Sequence, residues 1–173
     1  MRRWPSFGPE AGEFPIGAMV DHDPANTIPK QLTLRSRLDD LAPMYPWVDA
    51  LAQAYNLPDP TRYAIQLCLE EALTNVVRHG YRGDPEQTIT VEFERRSERE
   101  MVFSVEDSAP HFRPFDPTVP LEEPASVTLE TVKPGGQGIR LMRKFSNFME
   151  WEPLEHGNRL RIGFVVPDAG RET

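Results

Sequence analysis

The sequence predicts an α+β fold, a two-layer sandwich in which helices cover one face of a mixed, mostly antiparallel sheet. Three observations carry the prediction. Apolar residues alternate with polar ones in five short runs, and three other stretches repeat them every three to four residues. The 173 residues amount to one domain.

Taken in order, residues 1–29 hold no sustained period and carry Pro5, Pro9, Pro15, Pro24 and Pro29, so a proline-rich arm precedes the domain. Its aromatics Trp4, Phe7 and Phe14 would suit docking on a partner or on the core, and a solvated tail is the plainer reading. The domain itself spans 30–167, with 168–173 as a tail. Gln31 to Arg37 alternates Leu32 and Leu34 with polar neighbours and reads as a half-buried strand. Asp39 or Asp40 should cap a helix that carries Leu41, Met44, Trp47 or Val48, Leu51 and Ala54 to about Asn56. A second helix should run from near Thr61 to about His79 on a stripe of Ile65, Leu69, Ala72 and Val76, stopped by Gly80 to Pro85. Ile89, Val91 and Phe93, then Met101, Phe103 and Val105, form a hairpin around Ser97 to Glu100. Gly135-Gly136-Gln137-Gly138 opens a third helix through Ile139, Leu141, Met142 and Phe145. Phe148 to Glu152 and Leu160 to Val166 close the chain as a second hairpin about the turn His156-Gly157-Asn158.

Proline is the compositional anomaly. There are eighteen, about twice the usual ~5%, while the 11 glycines are ordinary. Six of them (Pro110, Pro114, Pro117, Pro120, Pro124 and Pro134) fall in the aperiodic stretch from Ser108 to Pro134. That stretch is far longer than an ordinary connection and reads as a functional loop. The net charge of −8 disfavours a nucleic-acid partner, whose phosphates need Lys and Arg. No apolar run approaches the roughly 18 residues of a membrane span, so no membrane partner is expected. A lone cysteine, Cys68, and an N-terminus without an apolar signal stretch point to the cytoplasm.

Candidate chemistry begins on the second helix. Glu71 and Asn75 are four residues apart and project from consecutive turns of one face, beside the apolar stripe. A carboxamide oxygen suits a hard cation such as magnesium, and the carboxylate is free to act as a base; an ordinary polar pair on a solvated face is the alternative. Gly135, Gly136 and Gly138 precede or open a helix, where backbone amides favour phosphate, though such glycines also serve simple turns. Asp107 ends an apolar strand at the mouth of the long loop, where a carboxylate can accept a hydrogen bond from an amino group such as that of a purine. Arg78, Lys133 and Arg140 lie in or beside these segments and could neutralise phosphate charge, or serve as surface charge. The histidines show no metal-ligand spacing with each other or with Cys68.

The order of these features carries a resemblance. Glu71-Ala-Leu-Thr-Asn75-Val-Val-Arg-His79-Gly-Tyr81, a hairpin ending in Asp107, a long loop and Gly135-Gly-Gln-Gly138-Ile-Arg-Leu resemble the GHKL (Bergerat-fold) ATPases. Within them the sequence is most similar to the anti-sigma factor serine-protein kinases of the RsbW and SpoIIAB type, from about Gln31 to Val166. The resemblance implies that Asn75 holds Mg2+ against the ATP phosphates, that Glu71 is the general base, and that Asp107 binds the adenine amino group. It further implies that Gly135, Gly136 and Gly138, with Arg78, line the nucleotide, and that residues 108–134 are the ATP lid. A kinase of this kind phosphorylates a serine of an anti-sigma antagonist protein and sequesters a sigma factor; a homodimer is compatible with it.

One departure stands out. The family's pattern has glycine two residues after the aspartate, and here Ser108 and Ala109 follow Asp107, with Pro114-Phe-Asp-Pro117 further on. A methyl at a position of positive φ would cost about 1 kcal/mol or more and reduce ATP affinity. That expectation, with six prolines stiffening the lid, favours the alternative of a non-catalytic interaction module with weak or no ATP binding. The ATP-binding half of a histidine kinase is disfavoured, because no helical segment before residue 31 would present a phosphorylatable histidine.

Overall fold

The structure, a computed structural model, describes residues 27–112 and 137–167. The predicted arm up to residue 26, most of the predicted lid with Lys133, Gly135 and Gly136, and the tail lie outside the described residues.

Five strands form one sheet in the order β1-β2-β3-β5-β4, from β1 (Gln31–Arg35), β2 (Thr88–Arg95), β3 (Glu100–Asp107), β4 (Phe148–Pro153) and β5 (Asn158–Val165). All four neighbouring pairs are antiparallel, so among the described residues the sheet is not mixed. The reason lies in the second hairpin. The chain returns from helix α3 (Gln137–Phe145) at the outer edge as β4, and β5 folds back into the slot beside β3. β4 therefore runs parallel to β3 without touching it as a partner.

The period-2 pattern decides which side faces the helices. Leu34, Ile89, Val91, Phe93, Met101, Phe103, Val105, Leu160, Ile162 and Phe164 are buried on the inner face. Phe103 is its centre, with Trp47, Phe93 and Phe164 rings at 5.9, 5.2 and 5.9 Å. Helices α1 (Met44–Ala54) and α2 (Asp59–Asn75) supply the other half of the core through Met44, Val48, Leu51, Ile65, Leu69 and Leu73. The Cys68 thiol reaches the Met142 carbonyl at 3.8 Å, joining α2 to α3; burial, aided by the charge of Glu71, pushes its pKa up to about 12. On the outer face the Phe148 ring lies over Gly163, where a Cβ would collide with it.

Two helix ends differ from the sequence expectation. Asp39 and Asp40 do not cap α1; they sit in a separate 3-10 turn, Leu38–Leu41, and α1 begins after Pro43. Pro46 explains this: as the third residue of α1 its missing N–H needs no helical partner, whereas a helix starting at Asp40 would put it in the interior at a cost of about 3 kcal/mol. Helix α2 ends at Asn75, four residues short of His79, and widens into a π turn over Val76–Gly80, closed by Tyr81 N donating to Val76 O at 2.8 Å. Arg82 and Gly83, at φ 54° and 83°, complete the stop.

Candidate functional site

The site forms where the inner face stops being apolar. Strand register sets Asp107 directly opposite Asn158, in the row that continues through Ile89 and Leu34. Both polar residues are buried, Asp107 at 7% exposure and Asn158 at 2%. Asn158 Nδ2 donates to Asp107 Oδ1 at 2.8 Å, and Ala109 N donates to the same oxygen at 2.9 Å. Oδ2 accepts no hydrogen bond among the described residues. Burial pushes the Asp107 pKa above the usual carboxylate range, and the bonds from Asn158 and Ala109 pull against that shift.

Asp107, Asn158 and Asn75 line one pocket, walled by Ala72, Val76, Val105, Leu160, Trp151 and Phe112. An apolar slot with a single buried carboxylate suits the flat face and amino edge of a purine. The cavity is only about 10 Å³, room for about one water, with Phe112 as one of its walls. The Phe112 ring rests on Gly80, where an added Cβ would come within 2.7 Å of Cε1. Tyr81, the next residue, ties the same corner together: its hydroxyl donates to Thr88 O at 2.8 Å and accepts from Ser108 N at 2.7 Å. The π turn is thus what brings Gly80 and Tyr81 against the end of β3, and such turns recur at functional sites.

The second part of the site is the start of α3. A Cβ on Gly138 would run into the carboxylate of Glu71, so the first turn of α3 lies against that side chain and a larger residue there would displace it. Glu71 and Asn75 therefore face α3 and the pocket from successive turns of α2. Both residues are partly buried. A carboxamide oxygen, a carboxylate and an apolar slot are a donor set that fits a magnesium-bound nucleotide.

Of the predicted residues, Glu71, Asn75, Asp107 and Gly138 come together. Arg78 does not. It lines a separate, larger groove of about 360 Å³ on another side of α2, with Tyr45 and with Glu70 and Thr74, the residues eight and four positions before it on one helical row. In that groove, burial and Glu70 push the Tyr45 phenol up to about 12. Ala109 is also not where the sequence put the difficulty. Its φ is not in the left-handed region, its side chain is buried, and the space beside it is left by Gly80, so no strain arises.

Asn158, Phe112 and Tyr81 were not singled out as site residues from the sequence. Asn158 had a signal: Leu160, Ile162 and Phe164 alternate onto the inner face, and stepping back two residues from Leu160 puts Asn158 on that face rather than in the turn.

Comparison with known proteins agrees with this architecture. Residues 34–164 match the family model described as "Histidine kinase-like ATPase domain". The serine/threonine-protein kinase BtrW of Bordetella bronchiseptica is 28% identical over 116 residues, covering 67% of this chain and 79% of that protein. The crystal structure of the RsbU and RsbW domains of Rv1364c from Mycobacterium tuberculosis aligns with a TM-score of 0.54 at 15% identity. It covers 83% of this chain, which spans only 34% of that longer one, and the likeness is one of fold. The resemblance to the RsbW type read from the sequence is borne out. No helix among the described residues is long and apolar enough to cross a membrane.

Proposed function

Because this chain belongs to the histidine kinase-like ATPase domain family across residues 34–164, we propose that it is an ATP-dependent serine-protein kinase acting as a cytoplasmic anti-sigma factor. It phosphorylates a serine of an antagonist protein and, when free of it, sequesters a sigma factor. The observation that most supports the reading is the convergence of Asn75 and Asp107 on one apolar-walled pocket, with Glu71 one turn away on α2. Similarity to a serine/threonine-protein kinase along 67% of the chain favours protein phosphorylation over other ATPase chemistry.

Each residue then has a role its surroundings suit. Asp107 accepts a hydrogen bond from the adenine amino group at Oδ2, the oxygen that Asn158 and Ala109 do not use. Val76, Val105 and Leu160 sandwich the base. Asn75 holds magnesium through its carboxamide oxygen, and Gly138, with Gly135 and Gly136, lets the chain approach the phosphates. Magnesium-ATP, when bound, supplies the transferable phosphoryl group and its charge neutralisation. Glu71 takes the proton from the acceptor serine as that oxygen becomes the nucleophile. Arg78, facing the other groove, has no nucleotide role in this proposal.

Calorimetry of the full chain with magnesium-ATP tests the reading. Binding is expected, and Asn75→Ala should abolish it. Glu71→Ala should still bind ATP and lose phosphoryl transfer to its antagonist protein. No heat from the wild type would overturn the nucleotide assignment in favour of a non-catalytic interaction module; transfer at the wild-type rate by Glu71→Ala would remove Glu71 as the base.

A further inference from the structure

Beyond the four assembled site residues, one buried side chain touches every part of the pocket's lip. Asn158 Nδ2 donates to Asp107 Oδ1 at 2.8 Å and to Ala109 O at 3.3 Å, with Pro110 O at 3.5 Å, and its Oδ1 accepts from Phe112 N at 3.3 Å. A carboxamide carries its donor and its acceptor on separate atoms, so Asn158 can donate to a carboxylate and accept from a backbone amide at the same time. We propose that Asn158 is a positioning residue that couples two events: it aims Asp107 Oδ2 into the pocket and latches Phe112 across it, so that a purine enters only as the Phe112 N–H leaves Asn158.

The pocket as it stands has no room for a base, so a wall has to move. A cavity of about 10 Å³ holds one water and no base, and Phe112 is the wall that belongs to a loop rather than to a strand or helix. Gly80 gives the ring its seat. The strands fix the other end of the latch, since Asp107 and Asn158 face each other across the β3–β5 ladder. Carboxylate orientation is therefore held by the sheet, while the Phe112 bond is the arm that can open.

This inference rests on the nucleotide reading, and two variants of the full chain separate them. Asn158→Ala removes both arms; Asn158→Thr keeps a hydroxyl donor for Asp107 but reaches less far toward Phe112 N. In nucleotide-free protein, carbon-13 carboxyl titration should show the Asp107 pKa raised further in Asn158→Ala and restored toward the wild-type value in Asn158→Thr, with Tyr81 the neighbouring titratable group to monitor. Exchange of the Phe112 amide should quicken at least tenfold in both. With magnesium-ATP, Asn158→Ala should bind about tenfold more weakly, and Asn158→Thr should associate faster than wild type. An unchanged Asp107 pKa in Asn158→Ala, or unchanged Phe112 exchange in either variant, overturns the proposal. If Asn158→Ala does not fold, the Phe112 exchange and ATP association rate of Asn158→Thr decide it. A wild type that ignores ATP while both nucleotide-free effects appear would refute the nucleotide reading and keep the positioning role.

Discussion

Two cross-strand pairs lie side by side on β3 and β5 and face opposite ways. Glu106 pairs with Arg159 on the outer face, and Asp107 pairs with Asn158 on the inner one. Outside, the carboxylate meets a full positive charge at 2.5 Å, and Glu152 joins the same guanidinium at 2.7 Å. Inside, the carboxylate meets a neutral amide. An arginine opposite Asp107 would engage both carboxylate oxygens in a fork and cancel the charge. The amide satisfies one oxygen and leaves the other as an accepting, negative point in an apolar slot. The outer pair neutralises; the inner pair keeps a charge available for use.

The hinge of that comparison is Gly157, and breaking it should have the largest effect. Its φ of 108° lies in the left-handed region, and a Cβ there would run into the Asp107 carbonyl. Gly157→Ala should therefore pry apart the start of β5 and the end of β3, costing about 3 kcal/mol in urea unfolding. The same substitution at Gly83, φ 83° with nothing near its Cβ, should cost only about 1 kcal/mol.

Next in size is the inner pair itself. Asn158→Leu keeps the branched shape but leaves Asp107 buried without its amide, which should cost about 2 kcal/mol at neutral pH. The loss should shrink on acidification. Because the folded Asp107 pKa is raised, the folded state holds its proton more tightly than the unfolded chain does. The group's contribution to stability is thus fully present below the unfolded aspartate pKa and is lost as pH rises through the folded value. Urea midpoints at acid and neutral pH, compared between wild type and variant, read this directly. Nucleotide binding should run the other way, since it needs the carboxylate. Affinity should fall about tenfold per pH unit below the Asp107 pKa, beginning at a higher pH than an ordinary aspartate would give, in a calorimetric pH series.

The same pairs show what the sequence made legible. Alternation in β2, β3 and β5 revealed the sheet and its buried face, because burial on one side forces a period of two that nothing else in the chain imitates. Glu71 and Asn75 were legible as a pair because helical spacing is local. Asn158 was hidden by its neighbour: Gly157 marks a turn so strongly that the residue after it was read with the turn, although the inner-face alternation runs through it. The π turn at Val76–Gly80 has no counterpart in a 3.6-residue pattern, whereas the place of Arg78 follows the Glu70, Thr74, Arg78 row of ordinary helical spacing. Ala109 is harmless for a related reason. A methyl has a steric consequence only against a particular neighbour, and here the neighbour, Gly80, lies 29 positions away and has no side chain.

The outer pair should give the smallest effect, despite having the shorter bonds. Arg159 and Glu106 side chains are 29% and 26% exposed, and Glu152 is 43% exposed, so water and salt share their fields. Arg159→Ala should cost under about 1 kcal/mol, and less again at high ionic strength. It should leave magnesium-ATP affinity unchanged, because the Arg159 side chain lies across the sheet from the pocket. A loss as large as that of Asn158→Leu would mean that the two faces are coupled through β5, and that the inner charge depends on the outer ladder to hold its register. Thermal melts at low and high salt, run beside calorimetry on the same variant, distinguish a surface ion pair from such a coupled element.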